Sequence, residues 1–386
     1  MKAIEESFFD GKRPWSRIKD RILGTYLPPY LQKIQRLRRR IVVVDCFAGR
    51  GNFDDGTPGS PLIICQQIQR HAPRSATAYF VNKRPMHHRT LSKTLKGFID
   101  TRIAYPVLGQ GEAFLSDLAK QMTEESLFVY LDPFGIKGCN FTATKRLLQR
   151  SASASTELLM TLSMPVLHRL AARTSSHAIV ARFHGVLDSA LGAIPWREIM
   201  HDGTLRAAEK ESRVIGEYCE HLRKYAGYAC ACPVRDRDES RVKYYIVFAS
   251  RHPDAILLMN DIMLTAYHDH TAAQAGEDLP LLASLLDDWR ASRTAQQEML
   301  AKIISATLSQ VGSLQRRELW KRIVLAHFMQ YREAEFRDAI QTLVANGTLT
   351  VGEMARGGRL NDKSVIRSTP KHAPASVSPS TKQKIS

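Results

Sequence analysis

The segment IVVVD, from Ile41 to Asp45, restricts the fold of this chain more than any other feature. It is continuous, apolar and β-branched, which is typical of a strand buried on both faces in a parallel sheet. Four more strand-like segments follow, separated by stretches with helical periodicity. We predict these strands near Thr77–Val81, Arg102–Leu108, Leu127–Asp132 and Glu157–Ser163. This alternation predicts a doubly wound α/β sheet, in which ligands bind beyond the carboxyl ends of the strands.

The segments after the fifth strand predict a different ending to the sheet. A helical insertion is expected at about residues 165–225. The charged turn RDRDES then separates the strand-like segments Tyr228–Val234 and Val242–Ala249, which predicts an antiparallel hairpin. We therefore predict a Rossmann-like α/β sheet that is closed by an antiparallel hairpin.

The length of 386 residues favours two domains over one. We assign residues 1–40 to a basic N-terminal helical segment, 41–270 to the α/β domain and 290–367 to a smaller domain. In the smaller domain, three helical segments precede two short strands, an order that predicts a winged helix-turn-helix domain. Residues 368–386 are rich in Ser, Thr, Pro and Lys, so we expect a disordered basic tail.

The charge balance favours an anionic partner. The chain has 55 Lys and Arg against 38 Asp and Glu, a net charge of +17 at pH 7. Nucleic acid is the partner that this balance predicts, and general solubility is the alternative. No run of about 18 uncharged apolar residues occurs and the first residues lack a signal-peptide pattern, so we expect a cytoplasmic protein that does not enter a membrane.

Metal binding is not predicted. The six cysteines are scattered and form no CxxC pair, so we expect them to be reduced and buried. His87 and His88, like His268 and His270, have no further ligands at metal spacing, and we interpret them as surface residues.

The segment from Val42 to Pro61, VVVDCFAGRGNFDDGTPGSP, is the first candidate site. A buried strand ends at Asp45 and leads directly to Gly49-x-Gly51, where glycines let the backbone approach a nucleoside cofactor closely. The alternative is a turn whose glycines serve only its conformation. Ser60 is predicted to cap the next helix.

The segment LDPFGIKG, from Leu131 to Gly138, is the second candidate site. Asp132-Pro133-Phe134 is similar to the DPPY-type tetrapeptide of amino-group methyltransferases, although one proline is missing. In that chemistry, the acidic side chain accepts a hydrogen bond from an exocyclic amine, and the aromatic ring stacks on the flipped base. The alternative is a turn in which Asp132 is only a turn former.

Together with the segment KYYIVFASRHPDA, from Lys243 to Ala255, these two motifs resemble the three-Cys-motif partner (TcmP) proteins. The resemblance covers most of the chain and implies a methyltransferase-like domain with a C-terminal winged helix. It also implies an S-adenosylmethionine cofactor and a partner protein with a three-cysteine motif. DNA modification in a mobile-element or phage-defence system is the setting that we infer.

The resemblance places the cofactor against residues that follow the first three strands. These residues are Asp45, Phe47, Gly49, Gly51, Asn82 and Gly111. Asn82 departs from the pattern, because methyltransferases carry an acid at the end of the second strand to hold the ribose. A neutral amide accepts a weaker hydrogen bond than a carboxylate, and Lys83 and Arg84 beside it favour an anionic ligand. A plain helix start is the alternative for Gly111.

The C-terminal domain contains the candidate nucleic-acid contacts, which are all cationic. They are Arg316, Arg317, Lys321, Arg332, Arg337, Arg356 and Arg359. Acidic residues dilute this charge on the third helix, so a protein-binding domain is the alternative.

The sequence supports two alternative functions. The first is an S-adenosylmethionine-dependent methyltransferase that acts on an exocyclic amino group of nucleic acid. The second is a catalytically inactive scaffold that binds nucleic acid and a partner protein. A metal-dependent nuclease has little support, because Asp54-Asp55 with Asp45 and Asp132 is a thin basis for a metal cluster.

Overall fold

The computed structural model describes residues 14–133, 135–151, 153–172, 176–235, 241–275, 282–352 and 360–369, with side chains from residue 16 except 273–275 and 282–292. The chain divides into two compact units, Met1–Pro280 and Leu281–Ser386.

The first unit is built on a seven-stranded sheet. Its strands are β1 (Ile41–Asp45), β2 (Ala76–Asn82), β3 (Ala104–Leu108), β4 (Ser126–Leu131), β5 (Thr156–Ser163), β6 (Tyr228–Arg235) and β7 (Val242–Ser250). Their order across the sheet is β3-β2-β1-β4-β5-β7-β6. Strand β7 is antiparallel to β5 and β6, whereas the other neighbours are parallel. The predicted doubly wound, Rossmann-like α/β sheet, closed by an antiparallel hairpin, is thus confirmed.

The direction of the strand order explains where a ligand can bind. The chain proceeds outward from β1 to β3 on one side and outward from β4 on the other, so the order reverses between β1 and β4. Asp45 at the end of β1 is paired in register with Tyr130 near the end of β4. A crevice forms at such a reversal, outside the carboxyl ends of the strands.

Helices cover both faces of the sheet, which explains the unbroken apolar sequence of the central strands. Every residue of β1 and β4 is buried, whereas edge strand β6 has a mixed burial pattern. The helices before the insertion are Pro14–Ile34, Ser60–His71, Pro85–Thr94, Lys96–Asp100, Gly111–Gln121 and Phe141–Leu148. The insertion contains Met164–Ala171, His177–Leu191, Trp196–His201 and Ala207–Ala226.

The N-terminal helix, Pro14–Ile34, is part of the core of the first unit. Apolar side chains at i, i+4 spacing form its buried face, among them Ile18, Ile22 and Tyr26. Tyr26 stacks on Phe128 with ring centroids 5.8 Å apart, and its hydroxyl donates a 2.7 Å hydrogen bond to Glu157. The predicted helix Trp15–Leu27 therefore extends for a further two turns and packs against the sheet.

The helix Pro253–Ala275 continues past residue 270, the predicted end of the α/β domain, and includes residues 271–275; residues 276–281 lie outside the described residues. The alanines in TAAQA have high helix propensity, so the helix continues past its apolar face.

The second unit consists of three helices and a small antiparallel sheet. The elements are Leu282–Val311, β8 (Ser313–Gln315), Arg316–Ala326, Glu333–Ala345, β9 (Leu349–Val351) and β10 (Val365–Ser368). The order in the sheet is β8-β10-β9, with both pairs antiparallel. Trp320 stacks on Phe336 at 4.9 Å between ring centroids, and Ile340 is buried.

Across the described part of the chain, no helix combines the length and the apolar character needed to cross a bilayer.

Candidate functional site

The loop after β1 is held in place by the carboxylate at the end of that strand. Gly49 and Gly51 adopt positive φ angles of 62° and 95°. Asp45 is fully buried; its Oδ1 accepts from the backbone N–H of Phe47 at 3.0 Å, and its Oδ2 accepts from the Ser60 hydroxyl at 2.7 Å. Asp45 therefore ties the glycine loop to the start of the following helix.

Ser60 is not the helix cap that the sequence predicted. The cap is Gly59, whose N–H donates to the carbonyl of Gly51 at 2.9 Å, and Ser60 is the first helical residue. The physical reason is the buried carboxylate of Asp45, which needs a donor and takes the Ser60 hydroxyl.

Burial raises the pKa of Asp45 to about 7, even though the hydrogen bonds from Ser60 and Phe47 stabilise its charged form. Desolvation outweighs these bonds because the carboxylate has no access to water. The loop thus depends on a group that titrates near neutral pH.

Asn82, at the end of β2, holds the same loop from the other side. It is 5% exposed, and its Nδ2 donates a 2.9 Å hydrogen bond to the carbonyl of Gly49. An ionised acid at this position could not donate this bond, because a carboxylate only accepts. The amide of Asn82 therefore fixes the glycine loop from the β2 side.

The Phe47 ring lies between two glycines from different loops. A Cβ built on Gly111 would lie 3.3 Å from the ring and 2.7 Å from the carbonyl oxygen of Cys46. A Cβ on Gly138 would lie only 2.5 Å from the ring. Both positions therefore require glycine, which sequence reasoning recognised for Gly111 but not for Gly138.

A cleft of roughly 540 Å³ opens at the carboxyl ends of β1, β2 and β4; we call it the large compartment. Its volume suits a ligand of nucleoside size. The residues around it are Cys46, Phe47, Gly49, Val81, Asn82, Lys83, Arg84, Pro85, His87, Gln110, Gly111, Glu112, Pro133, Lys137 and Gly138. The structure thus brings together Phe47, Gly49, Asn82 and Gly111, which the sequence analysis selected separately.

His87 contradicts its prediction as a surface residue. It is only 9% exposed and lines the large compartment. It faces inward from the helix Pro85–Thr94 on the same side as buried Leu91, at i, i+4 spacing.

A second cavity of about 110 Å³, the small compartment, shares Phe47, Gly49 and Pro133 with the large one. Asp132 lies here, directly after β4. Its Oδ1 accepts from the Thr161 hydroxyl at 2.5 Å, and its Oδ2 accepts from the Lys19 ammonium at 2.5 Å. The third residue of the predicted motif, Phe134, lies outside the described residues.

Lys19 is the site residue that sequence reasoning missed. It is on the N-terminal helix, its side chain is 12% exposed, and its ammonium lies 5.2 Å from the centroid of the Tyr244 ring. Asp132 is 24% exposed, so the pair is largely withdrawn from water. No local motif marks Lys19, because its partner is distant in sequence.

Four of the seven candidate nucleic-acid contacts, namely Arg316, Arg317, Lys321 and Arg332, lie within ion-pair distance of carboxylates of the same unit. Lys321 pairs with Glu318 at 2.5 Å and Arg332 with Glu335 at 2.8 Å. Arg317 is 3.9 Å from Asp362. Arg356 and Arg359 lie outside the described residues.

Arg316 corrects the sequence analysis, which counted it among the exposed cations. It is 7% exposed, and its guanidinium contacts Glu333, at 2.7 Å, and Asp362. Its location at the start of a helix, between the next helix and the hairpin, explains why it is buried. Arg316 therefore stabilises this unit and is withdrawn from any binding surface.

The exposed face of the helix Glu333–Ala345 is not basic. Its exposed residues include Glu333, Arg337, Asp338 and Gln341, so this face carries one cation and two acids. This charge does not favour a phosphate backbone.

Two further observations limit the chemistry. Among the described residues, no group of three or more His, Cys, Asp or Glu side chains is arranged to hold a metal ion. The six cysteines are free and buried, as predicted.

No family model matches the chain, and no curated protein matches it. Among solved structures, it is similar to an rRNA methylase from Streptococcus thermophilus, with 11% identity and a TM-score of 0.31 over 62% of this chain and 96% of the methylase. A protein from Legionella pneumophila matches with 12% identity and a TM-score of 0.36 over 62% of this chain and 88% of that one. A methyltransferase candidate from Streptococcus mutans, in complex with SAH, matches with 11% identity and a TM-score of 0.28 over 58% and 97%. Likeness at this level does not assign a function.

Proposed function

We propose that the first unit binds a nucleoside cofactor in the large compartment and that this cofactor is S-adenosylmethionine. The observation that carries the proposal is the loop Gly49–Gly51, which Asp45 and Asn82 hold open beside a cleft at the point where the strand order reverses. Such a crevice is where open α/β sheets bind nucleosides.

The residues present fit this cofactor in shape. Gly49 and Gly51 remove side chains from the loop, and Gly111 leaves the Cys46 carbonyl and the Phe47 ring uncovered. Asn82 and Gly49 would line the ribose, and Phe47 would pack beside the nucleoside. The bound cofactor would supply an electrophilic methyl group.

The chain's own contribution to methyl transfer is centred on Asp132. Thr161 and Lys19 orient its carboxylate beside Pro133, at the wall that the two compartments share. An amine that enters the small compartment would donate a hydrogen bond to the Asp132 carboxylate, which has lone pairs beyond those that Thr161 and Lys19 use. The Lys19 ammonium would compete with this amine for the same carboxylate.

The proposal requires the full-length protein to bind S-adenosylmethionine, which calorimetry tests directly. Micromolar affinity that Asp45→Asn weakens at least tenfold, in a variant with a normal thermal transition, would support it. An Asp132→Ala variant should keep the affinity and lose methyl transfer to nucleic acid. Absence of binding at millimolar cofactor would exclude the methyltransferase function.

The second candidate is a binding scaffold without chemistry, and the Lys19–Asp132 pair favours it. A cation already satisfies the carboxylate that a substrate would need, and Asn82 replaces the ribose-binding acid. In this case the second unit, which we infer to be a winged helix from its three helices and antiparallel hairpin, would hold nucleic acid or the three-Cys-motif partner. Its acidic third helix supports a protein partner.

A further inference from the structure

The large compartment is lined by an excess of positive charge. Lys83 and Arg84 follow β2, Lys137 belongs to the loop after β4, and Glu112 is the one acid among the described residues that line the compartment. The side chains of Lys83, Arg84 and Lys137 are all exposed.

The cations lie where the ribose of a nucleoside would be. The end of β2 is the position at which Rossmann-like folds meet the ribose hydroxyls, with an acid for a free hydroxyl or a cation for a ribose phosphate. Here the acid is absent, and Asn82 donates to Gly49. Two cations follow it immediately in the sequence.

The backbone that follows β2 also favours an anionic ligand. The helix Pro85–Thr94 begins directly after Arg84, so its first N–H groups and positive end lie at the rim of the large compartment. The Asn82 carbonyl accepts from the N–H of Gly109 at 2.9 Å, which fixes the end of β2 against the loop after β3.

We propose that Lys83 and Arg84, together with Lys137, bind a phosphate carried on the ribose of a nucleoside in the large compartment. This inference rests on the nucleoside site of the proposed function but not on methyl transfer. The ligand class is a nucleoside 2′- or 3′-phosphate, free or at the end of an oligonucleotide. Lysine and arginine bind phosphate through charge-assisted hydrogen bonds, whose strength at exposed side chains falls with salt.

Calorimetry with the full-length protein tests the proposal with adenosine, its 2′-, 3′- and 5′-phosphates, inorganic phosphate and a short oligonucleotide with a 3′-phosphate. At about 50 mM salt we expect the 2′- or 3′-phosphate to bind about tenfold more tightly than adenosine, a gain typical of one strong phosphate contact. Lys83→Met and Lys137→Met should each reduce that gain. Lys93→Met, an exposed lysine on the next helix, should not change it.

Several outcomes would overturn the inference. Equal affinity for adenosine and its phosphates would show that the compartment has no phosphate site. A preference for the 5′-phosphate would show that the phosphate does not bind at the end of β2. If inorganic phosphate bound as tightly as the nucleoside phosphates, the cations would attract anions without recognising a nucleoside. Tight S-adenosylmethionine binding without a phosphate preference would retain the proposed function and reject this inference; the reverse result would reject the cofactor and keep the phosphate site. If the phosphate site is present, the oligonucleotide identifies its source, since it binds only if the ligand is the end of a strand.

Discussion

The two compartments share a wall but balance their charges in opposite ways. In the small compartment, the Asp132 carboxylate is satisfied by Lys19 and Thr161 from the protein itself. In the large compartment, exposed cations outnumber the single acid among the described lining residues. The large compartment therefore favours a ligand of negative charge, whereas a polar ligand at Asp132 has to compete with an internal ion pair.

Because of this difference, ligand binding in the large compartment and methyl transfer at Asp132 can be affected independently. A ligand of the large compartment gains from the unbalanced charge without any rearrangement of Lys19. A substrate amine at Asp132 would have to compete with an ammonium that is already bound and largely desolvated. Binding could therefore persist in a protein whose chemistry is weak.

The largest expected effect comes from the shared wall. Gly138→Ala would place a Cβ against the Phe47 ring, at a residue with φ of +111°. We expect a loss of about 3 kcal/mol in the free energy of unfolding, from backbone strain and overpacking together. Ligand binding in the large compartment should fall at least tenfold, as measured by calorimetry.

Gly56→Ala provides the matched control for this wall. Gly56 also has a positive φ, +81°, but an added Cβ would meet nothing within 4 Å. Its cost should be about 1 kcal/mol, from the backbone alone. Equal costs for the two variants in denaturant unfolding would show that the Phe47 ring does not constrain the wall.

The second prediction compares two buried acids at opposite ends of the sheet. Burial raises the pKa of both Asp45 and Glu157 to about 7. Because the folded state holds these protons more tightly than the unfolded state, stability should fall as the pH rises from about 4 to about 7. Asp45→Asn and Glu157→Gln should each flatten this slope in unfolding experiments at several pH values.

Ligand affinity then distinguishes the two ends. Only Asp45→Asn should weaken binding in the large compartment, because Glu157 lies at the start of β5, away from the cleft. The exposed Glu217→Gln should leave both the slope and the affinity unchanged. A flattened slope in this control, or lost affinity in Glu157→Gln, would contradict the prediction.

The third prediction concerns the small compartment alone. Lys19→Met removes the partner of Asp132 and should lower stability by about 2 kcal/mol, because the largely desolvated carboxylate keeps only its hydrogen bond from Thr161. Affinity in the large compartment should change less than twofold, as measured by calorimetry. A change as large as that of Lys83→Met would show that the two compartments act as one site.

The smallest expected effect is in the second unit. Arg337→Met should reduce affinity for double-stranded DNA only about twofold, because it removes one exposed cation from a helix face that also carries two acids. Lys321→Met should have no effect, because Glu318 already pairs with this side chain. A tenfold loss in either variant would make this unit a nucleic-acid module after all.

The predictable parts of the molecule are those whose cause is local. The strand IVVVD, its terminal Asp45 and the glycine loop follow from burial and backbone conformation within a few residues. The hairpin of β6 and β7 is also predictable from adjacent residues, because a short charged turn separates the two strands. The same reasoning places Gly49, Asn82 and Gly111 at strand ends, and parallel strands then bring them into one cleft.

The parts that sequence reasoning missed depend on distant partners. Lys19 contributes to the site only because the N-terminal helix packs against the sheet. The Ser60 hydroxyl donates to the buried carboxylate of Asp45 instead of capping its own helix. Arg316 forms ion pairs with Glu333 and Asp362. In each case a tertiary contact prevails over the local preference that the sequence displays.

The docking of the N-terminal helix also has a consequence for the order of assembly. Lys19 and Asp132 are separated by 113 residues, and Tyr26 and Glu157 by 131. The helix is the first described element to leave the ribosome, but the strands that it contacts are synthesised much later. Closing such long loops is slow, so the small compartment should be among the last parts to form during folding. Until then the apolar face around Tyr26 lacks its partners, and the nascent chain must keep that face from aggregating.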